Sequence, residues 1–231
     1  MATTKSFQLY INDDNVKQYF STSGGVLNGA AINGKYITMR SSSTTANFTM
    51  KDAGRDILFP SAEAKAHKIE VWTQTISTLN SSKNTINIAI AGQNAIATER
   101  IHTSLTEHTG SISGSFTKSN TSAIYTIKIA NGFHAAGVRD TSITAYFTQF
   151  ACAANAIGNG VSSVNVSNPN PYEGETTTFT ATLKSGATWH GWYSDAAHTH
   201  LVSTNLNYTA AADDITLYAY AEREGTGFYV K

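Results

Sequence analysis

Short runs in which every second residue is apolar recur along the first 150 residues, and they leave few folds open. Ile69 and Val71 alternate with polar neighbours, and Ile86, Ile88 and Ile90 share one side opposite Asn87 and Ala89. Tyr125, Ile127 and Ile129 alternate with Thr126 and Lys128, and Ile143, Ala145 and Phe147 repeat the pattern before Phe150. Ile112 and Phe116 flank Gly114 in another such run. A period of two marks a strand with one buried face. Turn signals divide the runs at Asn12-Asp13-Asp14, Asn33-Gly34, Asn80-Ser81-Ser82, Gly92-Gln93-Asn94 and Asn131-Gly132. Many short strands separated by such turns predict an all-β chain whose first 150 residues form a jelly-roll-like antiparallel β-sandwich. Helix signals are few. Asp14 to Phe20 and Ser61 to Lys68 could each hold a short helical turn, the second with Ser61 as N-cap and Glu63 in its first turn.

Residues 151–162 carry no charge and include Gly158, Asn159 and Gly160, which reads as a linker. A second, smaller domain is predicted over 163–231. Val164 and Val166 form its first strand, and Phe179, Ala181 and Leu183 form the inward face of its second. Pro169 and Pro171 mark the turn between them, because proline cannot donate to a sheet ladder.

This domain holds Thr188-Trp189-His190-Gly191-Trp192-Tyr193-Ser194-Asp195, and later Thr216-Leu217-Tyr218-Ala219, with a lead-in from Tyr172 to Leu183. From Val161 to Glu222 the pattern resembles the Listeria–Bacteroides repeat, an Ig-like β-module of bacterial and phage proteins. Trp189, Gly191, Trp192, Tyr193, Leu217 and Tyr218 are the signature positions. A domain this small buries little surface, so a few aromatic side chains must supply much of its core. Trp192 and Leu217 are expected inside, and Gly191 permits a close approach or an unusual dihedral. After Thr-Leu-Tyr-Ala the chain continues as Tyr220-Ala221 where the repeat has Lys-Trp or a similar pair, so the outer face of the last strand is open, as is the exposure of Tyr220 and Trp72.

Charge excludes one class of partner. The 231 residues carry no formal net charge, 14% are charged, and no basic run occurs, which argues against nucleic acid. No apolar run reaches the length of a membrane span. Met1-Ala2-Thr3-Thr4-Lys5-Ser6-Phe7 lacks the apolar core of a signal peptide. Cys152 is the single cysteine, which excludes an internal disulfide and suits a small buried apolar side chain.

No catalytic set is legible. Gly110-Ser111-Ile112-Ser113-Gly114 has the glycine spacing of a nucleophile elbow but places Ile112 where the serine must be. Asp52 and Asp56 lie beside Lys51 and Arg55, which does not suit a free carboxylate pair. His190, His198 and His200 with Asp195 could be weighed as a zinc set, and Asp13-Asp14 or Asp213-Asp214 as calcium ligands. Their spacing reads instead as polar turns. No cofactor is expected.

The resemblance then implies a non-enzymatic structural component of a bacteriophage particle: a capsid decoration, tail or fibre protein with an exposed Ig-like domain. Such a protein is made in the host cytoplasm without a signal peptide and works in the virion, among other virion proteins and as a homo-oligomer. The end of the chain, Gly225 to Lys231, suits pairing with a neighbouring subunit's sheet edge. The alternative is a carbohydrate-binding or adhesive surface protein, and a phage protein can also bind host or mucosal glycans.

Overall fold

The computed structural model describes residues 1–90, 93–121, 123–128 and 134–224, with the side chains of 93–98, 123 and 128 excepted. Gly92, Ile129, Asn131-Gly132 and the segment Gly225 to Lys231, all used in the sequence reading, lie outside the described residues. The chain is almost entirely β and divides into two units, Lys5–Phe147 and Met1–Thr4 with Thr148–Lys231.

The first unit contains β1 (Thr3–Ile11), β2 (Phe20–Ser23), β3 (Val26–Ile32), β4 (Lys35–Ser41), β5 (Thr45–Met50), β6 (Ala66–Ser77), β7 (Thr85–Ile90), β8 (Gln93–Arg100), β9 (Thr106–Phe116), β10 (Ala123–Lys128) and β11 (Ala136–Gln149). One sheet runs β3-β4-β11-β6-β9, with β1 also on β11, and the other runs β2-β5-β10-β7-β8. From β4 onward the chain crosses repeatedly between the sheets. The resulting orders, β4-β11-β6-β9 against β5-β10-β7-β8, are those of a jelly roll. Asn33 and Gly34, both at positive φ (50° and 72°), close the β3–β4 hairpin, as a type I′ turn requires.

The alternating residues face the core. Ile69, Val71, Ile86, Ile88, Ile90, Tyr125, Ile127, Ile143, Ala145 and Phe147 are all buried. Phe59 meets Phe147 edge-on at 5.5 Å, and Phe20 meets Tyr125 at 5.5 Å. Burying each such side chain contributes about 1.5–3 kcal/mol.

Helix placement departs from the sequence reading. α1 (Val16–Tyr19) lies within the first expected turn, but Ser61 to Lys68 is not helical. The Ser61 hydroxyl accepts from the Ala64 N–H at 3.1 Å, which makes a turn, and β6 then begins at Ala66. The second helix is α2 (Asp52–Leu58). Gly54 hides it from a propensity reading, because glycine is a poor helix former. A Cβ at Gly54 would lie 2.9 Å from Met50 Cγ and 3.1 Å from Leu9 Cδ2, so packing dictates the residue there.

A polar pair interrupts this core. His108 on β9 is buried, and its Nε2 lies 2.7 Å from the Thr75 hydroxyl. Burial holds its imidazolium pKa below the ordinary value, the Glu99 carboxylate opposes that shift, and His102 reinforces it. Just below the unfolded pKa the unfolded chain therefore binds a proton that the folded one does not. Stability should be full above about pH 6.5 and fall as pH drops below it. Urea unfolding at pH 7 and pH 5 should show this loss, and His108→Gln should flatten it; an equal loss in the variant would exclude His108 as the source.

The second unit contains β12 (Cys152–Ile157), β13 (Val161–Val166), β14 (Thr176–Leu183), β15 (Ala187–Tyr193), β16 (Leu201–Ser203), β17 (Asn207–Ala211) and β18 (Ile215–Arg223). Its sheets are β12-β18-β15-β16 and β13-β14-β17. Residues 151–162, read as a linker, are a correction: β12 fills half of that stretch, β13 begins within it at Val161, and β12 pairs parallel with β18 from Cys152↔Ile215 to Ile157↔Tyr220. Its side chains are small because Cys152 and Ala154 pack directly on the core. Smallness without alternation looks like a connector in sequence. Phe179 and Ala181 are buried and Leu183 is partly so, all facing this core.

Candidate functional site

Two sheet faces carry aromatic side chains toward solvent. The larger belongs to the first unit. Along β6, Ile69, Val71, Thr73 and Thr75 are buried while Glu70, Trp72 and Gln74 point the other way, partly exposed. β9 continues the pattern with exposed Glu107, Thr109, Ser111 and Ser113. β11 adds Ser142, Thr144 and Tyr146. The register places Trp72 between Ser142 and Thr109. The Gln8 amide of β1 donates to the Ser142 hydroxyl at 2.7 Å, extending this row onto a fourth strand.

Trp72 is therefore a large aromatic in the middle of a polar sheet face, with Tyr146 further along the same face. The side chains around it are held in place. Tyr146 and Lys68 both donate to the Glu70 carboxylate. Lys68 also lies 5.2 Å from the Tyr146 ring centre. The hydrogen bond from Lys68, then that from Tyr146, lowers the Glu70 pKa, and the Glu70 carboxylate raises that of the Tyr146 phenol. On the other side of Trp72, Gln74 donates to Glu107 at 3.1 Å, and its buried Oε1 has no partner among the described residues. Neighbours on one face stand roughly 6.7 Å apart along a strand and about 4.8 Å apart across strands. The result is a flat platform with donors and acceptors at regular spacing around an indole.

The second face contains part of the sequence signature. In β15 a bulge falls between Trp189↔Ala221 and Gly191↔Tyr220. The extra residue brings Trp189 and Trp192 onto the same inward side, which strict alternation would forbid. Trp192 is 0% exposed and packs against Phe179 at 5.9 Å and Trp189 at 5.8 Å. Its indole N–H donates to Leu206 O at 3.3 Å, and that of Trp189 to Thr204 O at 2.8 Å. Leu217 is buried beside them. Gly191 sits at φ 143°, and a Cβ there would meet Leu201 Cδ1 at 2.4 Å and Ser203 O at 2.8 Å.

Tyr193, Tyr218 and Tyr220 take the outer side, half-buried. Tyr220 stacks with His198 at 3.8 Å and with His190 at 4.8 Å, both nearly parallel. Two rings so close to one ring cannot share a side without overlapping, so Tyr220 lies between the imidazoles. Its hydroxyl donates to Glu222.

Asp195 organises the turn that brings His198 there. It accepts from the backbone N–H groups of Ala197, Thr199 and His200, and His198 adopts φ 56°. The bonds from Thr199 first, and then from His200, lower the Asp195 pKa to about 2 against the opposing effect of desolvation. Their stabilisation is present above pH 3.8 and fades as pH falls toward 2. Asp195→Ala should accelerate amide exchange at Thr199 and His200 and broaden the His198 ring signals. Unchanged exchange would show that the turn holds without the carboxylate.

The remaining polar groups weighed from sequence do not form a reactive site. His200 bonds to Asp195, while His190 and His198 are separated by the Tyr220 ring. Among the described residues no three His, Cys, Asp or Glu side chains are arranged to hold a metal ion. Asp52 pairs with Arg55, and Asp56 with Lys118. Asp213 and Asp214 are exposed, and Asp214 accepts from the Ala151 N–H at 2.9 Å. The Trp72 platform was not visible in sequence, because its members come from β1, β6, β9 and β11.

No protein-family model matches this chain, and no curated protein does. Among solved structures, the CBM22-1 xylan-binding domain from Paenibacillus barcinonensis is similar over 59% of this chain and 92% of its own, at 13% identity and a TM-score of 0.42. A family 35 carbohydrate binding module from Clostridium thermocellum is similar over 59% and 96%, at 10% identity and a TM-score of 0.36. A CBM36-1 domain of a xylanase from the hindgut metagenome of Trinervitermes trinervoides is similar over 61% and 96%, at 12% identity and a TM-score of 0.35. Likeness this slight carries neither a family nor a ligand to the chain.

Proposed function

We propose that this chain is a non-catalytic carbohydrate-binding protein whose first domain holds a glycan against the outer face centred on Trp72. The observation that carries this reading is the partly exposed indole in the middle of an ordered polar sheet face. A pyranose has an apolar C–H side and a rim of hydroxyls, and binds well where a flat aromatic removes the first from water while fixed polar groups take the second. Ser142, Thr109, Gln8, Gln74 and the Glu70–Lys68–Tyr146 group supply that rim. Glu70 and Tyr146 bond to one another, which fixes both in place as ligand contacts.

The test is a screen of the full chain against immobilised neutral polysaccharides, with Trp72→Ala as the paired control. Retention that disappears in the variant supports the reading. No retention on any glycan, or equal retention of the variant, overturns it.

The proposed setting is a phage particle, where such a protein would attach virions to host or mucosal glycans as a homo-oligomer among other virion proteins. That part rests on the Ig-like resemblance alone. Mass spectrometry of purified particles from a source carrying this gene tests it; particles lacking the chain would sink it.

A further inference from the structure

A separate cleft in the first domain has no role on the Trp72 face. It lies where β2 turns into β3 and β4 turns toward β5, and encloses about 400 Å³. Its one charged lining group is Arg40, which shares the cleft with Ser42, Ser43 and Val26 and with Gly24, Gly25 and Gly29. Among the described residues no acidic side chain lines it.

Arg40 is half-buried, and its guanidinium has no hydrogen-bond or ion-pair partner among the described residues. Its N–H donors are open to solvent and are not among the buried unpartnered atoms, so they stand free to meet a ligand. The side chain is laid across Gly29: a Cβ on that glycine would sit 3.0 Å from Arg40 Cβ and 3.2 Å from Arg40 Cδ. The glycine makes room for the arginine, and the arginine leaves its donors to the cleft. Ser42 and Ser43 are exposed, and their side-chain hydroxyls have no partner among the described residues. Val26, 57% exposed, offers an apolar wall beside them. A forked cation, two hydroxyls and an apolar wall, with no competing carboxylate, match a planar oxyanion carried on a ring.

We propose that this cleft binds the carboxylate of an acidic sugar, a hexuronate, with Arg40 as the bidentate partner and Ser42 and Ser43 as hydroxyl contacts. The choice of a sugar rests on the carbohydrate reading above; the oxyanion site rests on Arg40 and the cleft alone. Free phosphate or sulfate shares this chemistry, so the probes must separate the sources.

The experiment is an NMR titration of the isotopically labelled full chain with sodium glucuronate, its neutral methyl ester, glucose and inorganic phosphate. Glucuronate should shift the amide signals of Gly24 to Ala30 and Arg40 to Ser43, bind at least about tenfold more tightly than the ester or glucose, and weaken with added salt. Arg40→Gln should lose that preference while Trp72→Ala keeps it, and Ser42→Ala/Ser43→Ala should weaken binding while preserving it. A matched melting temperature and unchanged signals elsewhere establish that each variant is folded. Phosphate binding without glucuronate binding overturns the sugar assignment. No shift with any oxyanion, or equal binding of glucuronate by wild type and Arg40→Gln, overturns the site. Loss of polysaccharide retention alone, with glucuronate still bound at Arg40, counts against the Trp72 face and leaves this site standing.

Discussion

Replacing Trp192 with alanine is expected to cost the second domain about 3–5 kcal/mol, the range for deleting a fully buried aromatic side chain. Trp192 is 0% exposed and lies among Phe179, Leu217, Ala219 and Ala221, with Trp189 closing one side. Ala219 and Ala221 are too small to collapse into the space it leaves. Truncation also leaves Leu206 O without its indole donor. Small domains have roughly 5–15 kcal/mol in total, so a loss of this size consumes much of the reserve. The two units have separate cores, which predicts a selective effect. In calorimetry, the transition of the second domain should move sharply down or vanish while that of the first stays in place. Trp192→Phe should cost less, because it keeps an aromatic against Phe179. If Trp192→Ala leaves both transitions unmoved, Trp192 is not the centre of that core.

The core of each domain was legible because burial writes itself into sequence at a spacing of two. Ile86, Ile88 and Ile90 alternate in sequence and are all buried. The Asn33-Gly34 turn was legible for a similar local reason, since two successive positive φ angles need residues of that kind. What escaped was set by contacts distant in sequence. β12 has no alternation to read, because its inward positions hold Cys152 and Ala154, sized by the neighbours they touch. The bulge in β15 was also invisible: nothing local to Trp189-His190-Gly191-Trp192 says that both tryptophans turn inward. Asp195 and His198 read as a polar turn, and they do form one. That His198 is laid on Tyr220 depends on a strand some twenty residues later. The Trp72 face is the extreme case. Gln8 and Ser142 bond across 134 residues of chain, and sequence alone gives Trp72 no neighbours by which to tell a core residue from a platform.

Trp72→Ala should therefore behave as the reverse of Trp192→Ala: a large loss of binding with a small loss of stability. Central aromatic anchors at binding surfaces typically cost about 2–4 kcal/mol when truncated, or roughly 30- to 1,000-fold in affinity. Trp72 is only partly buried, and its row neighbours are Ser142 and Thr109, so its removal opens no cavity in the sandwich core. Its contribution to folding is a cross-strand one, of the order of 0.2–1 kcal/mol. The polar rim should behave differently again. Glu70→Gln keeps the shape but removes the charge that Lys68 and Tyr146 address, and should weaken binding by a smaller factor while releasing Lys68. Affinity electrophoresis in a gel containing the polysaccharide retained by the wild type measures all three proteins together. Trp72→Ala should run as if no polysaccharide were present, with its melting temperature close to that of the wild type. A variant that loses stability and binding together would instead assign Trp72 to the fold, and the outer face of β6 would then need another ligand-contacting group to account for retention.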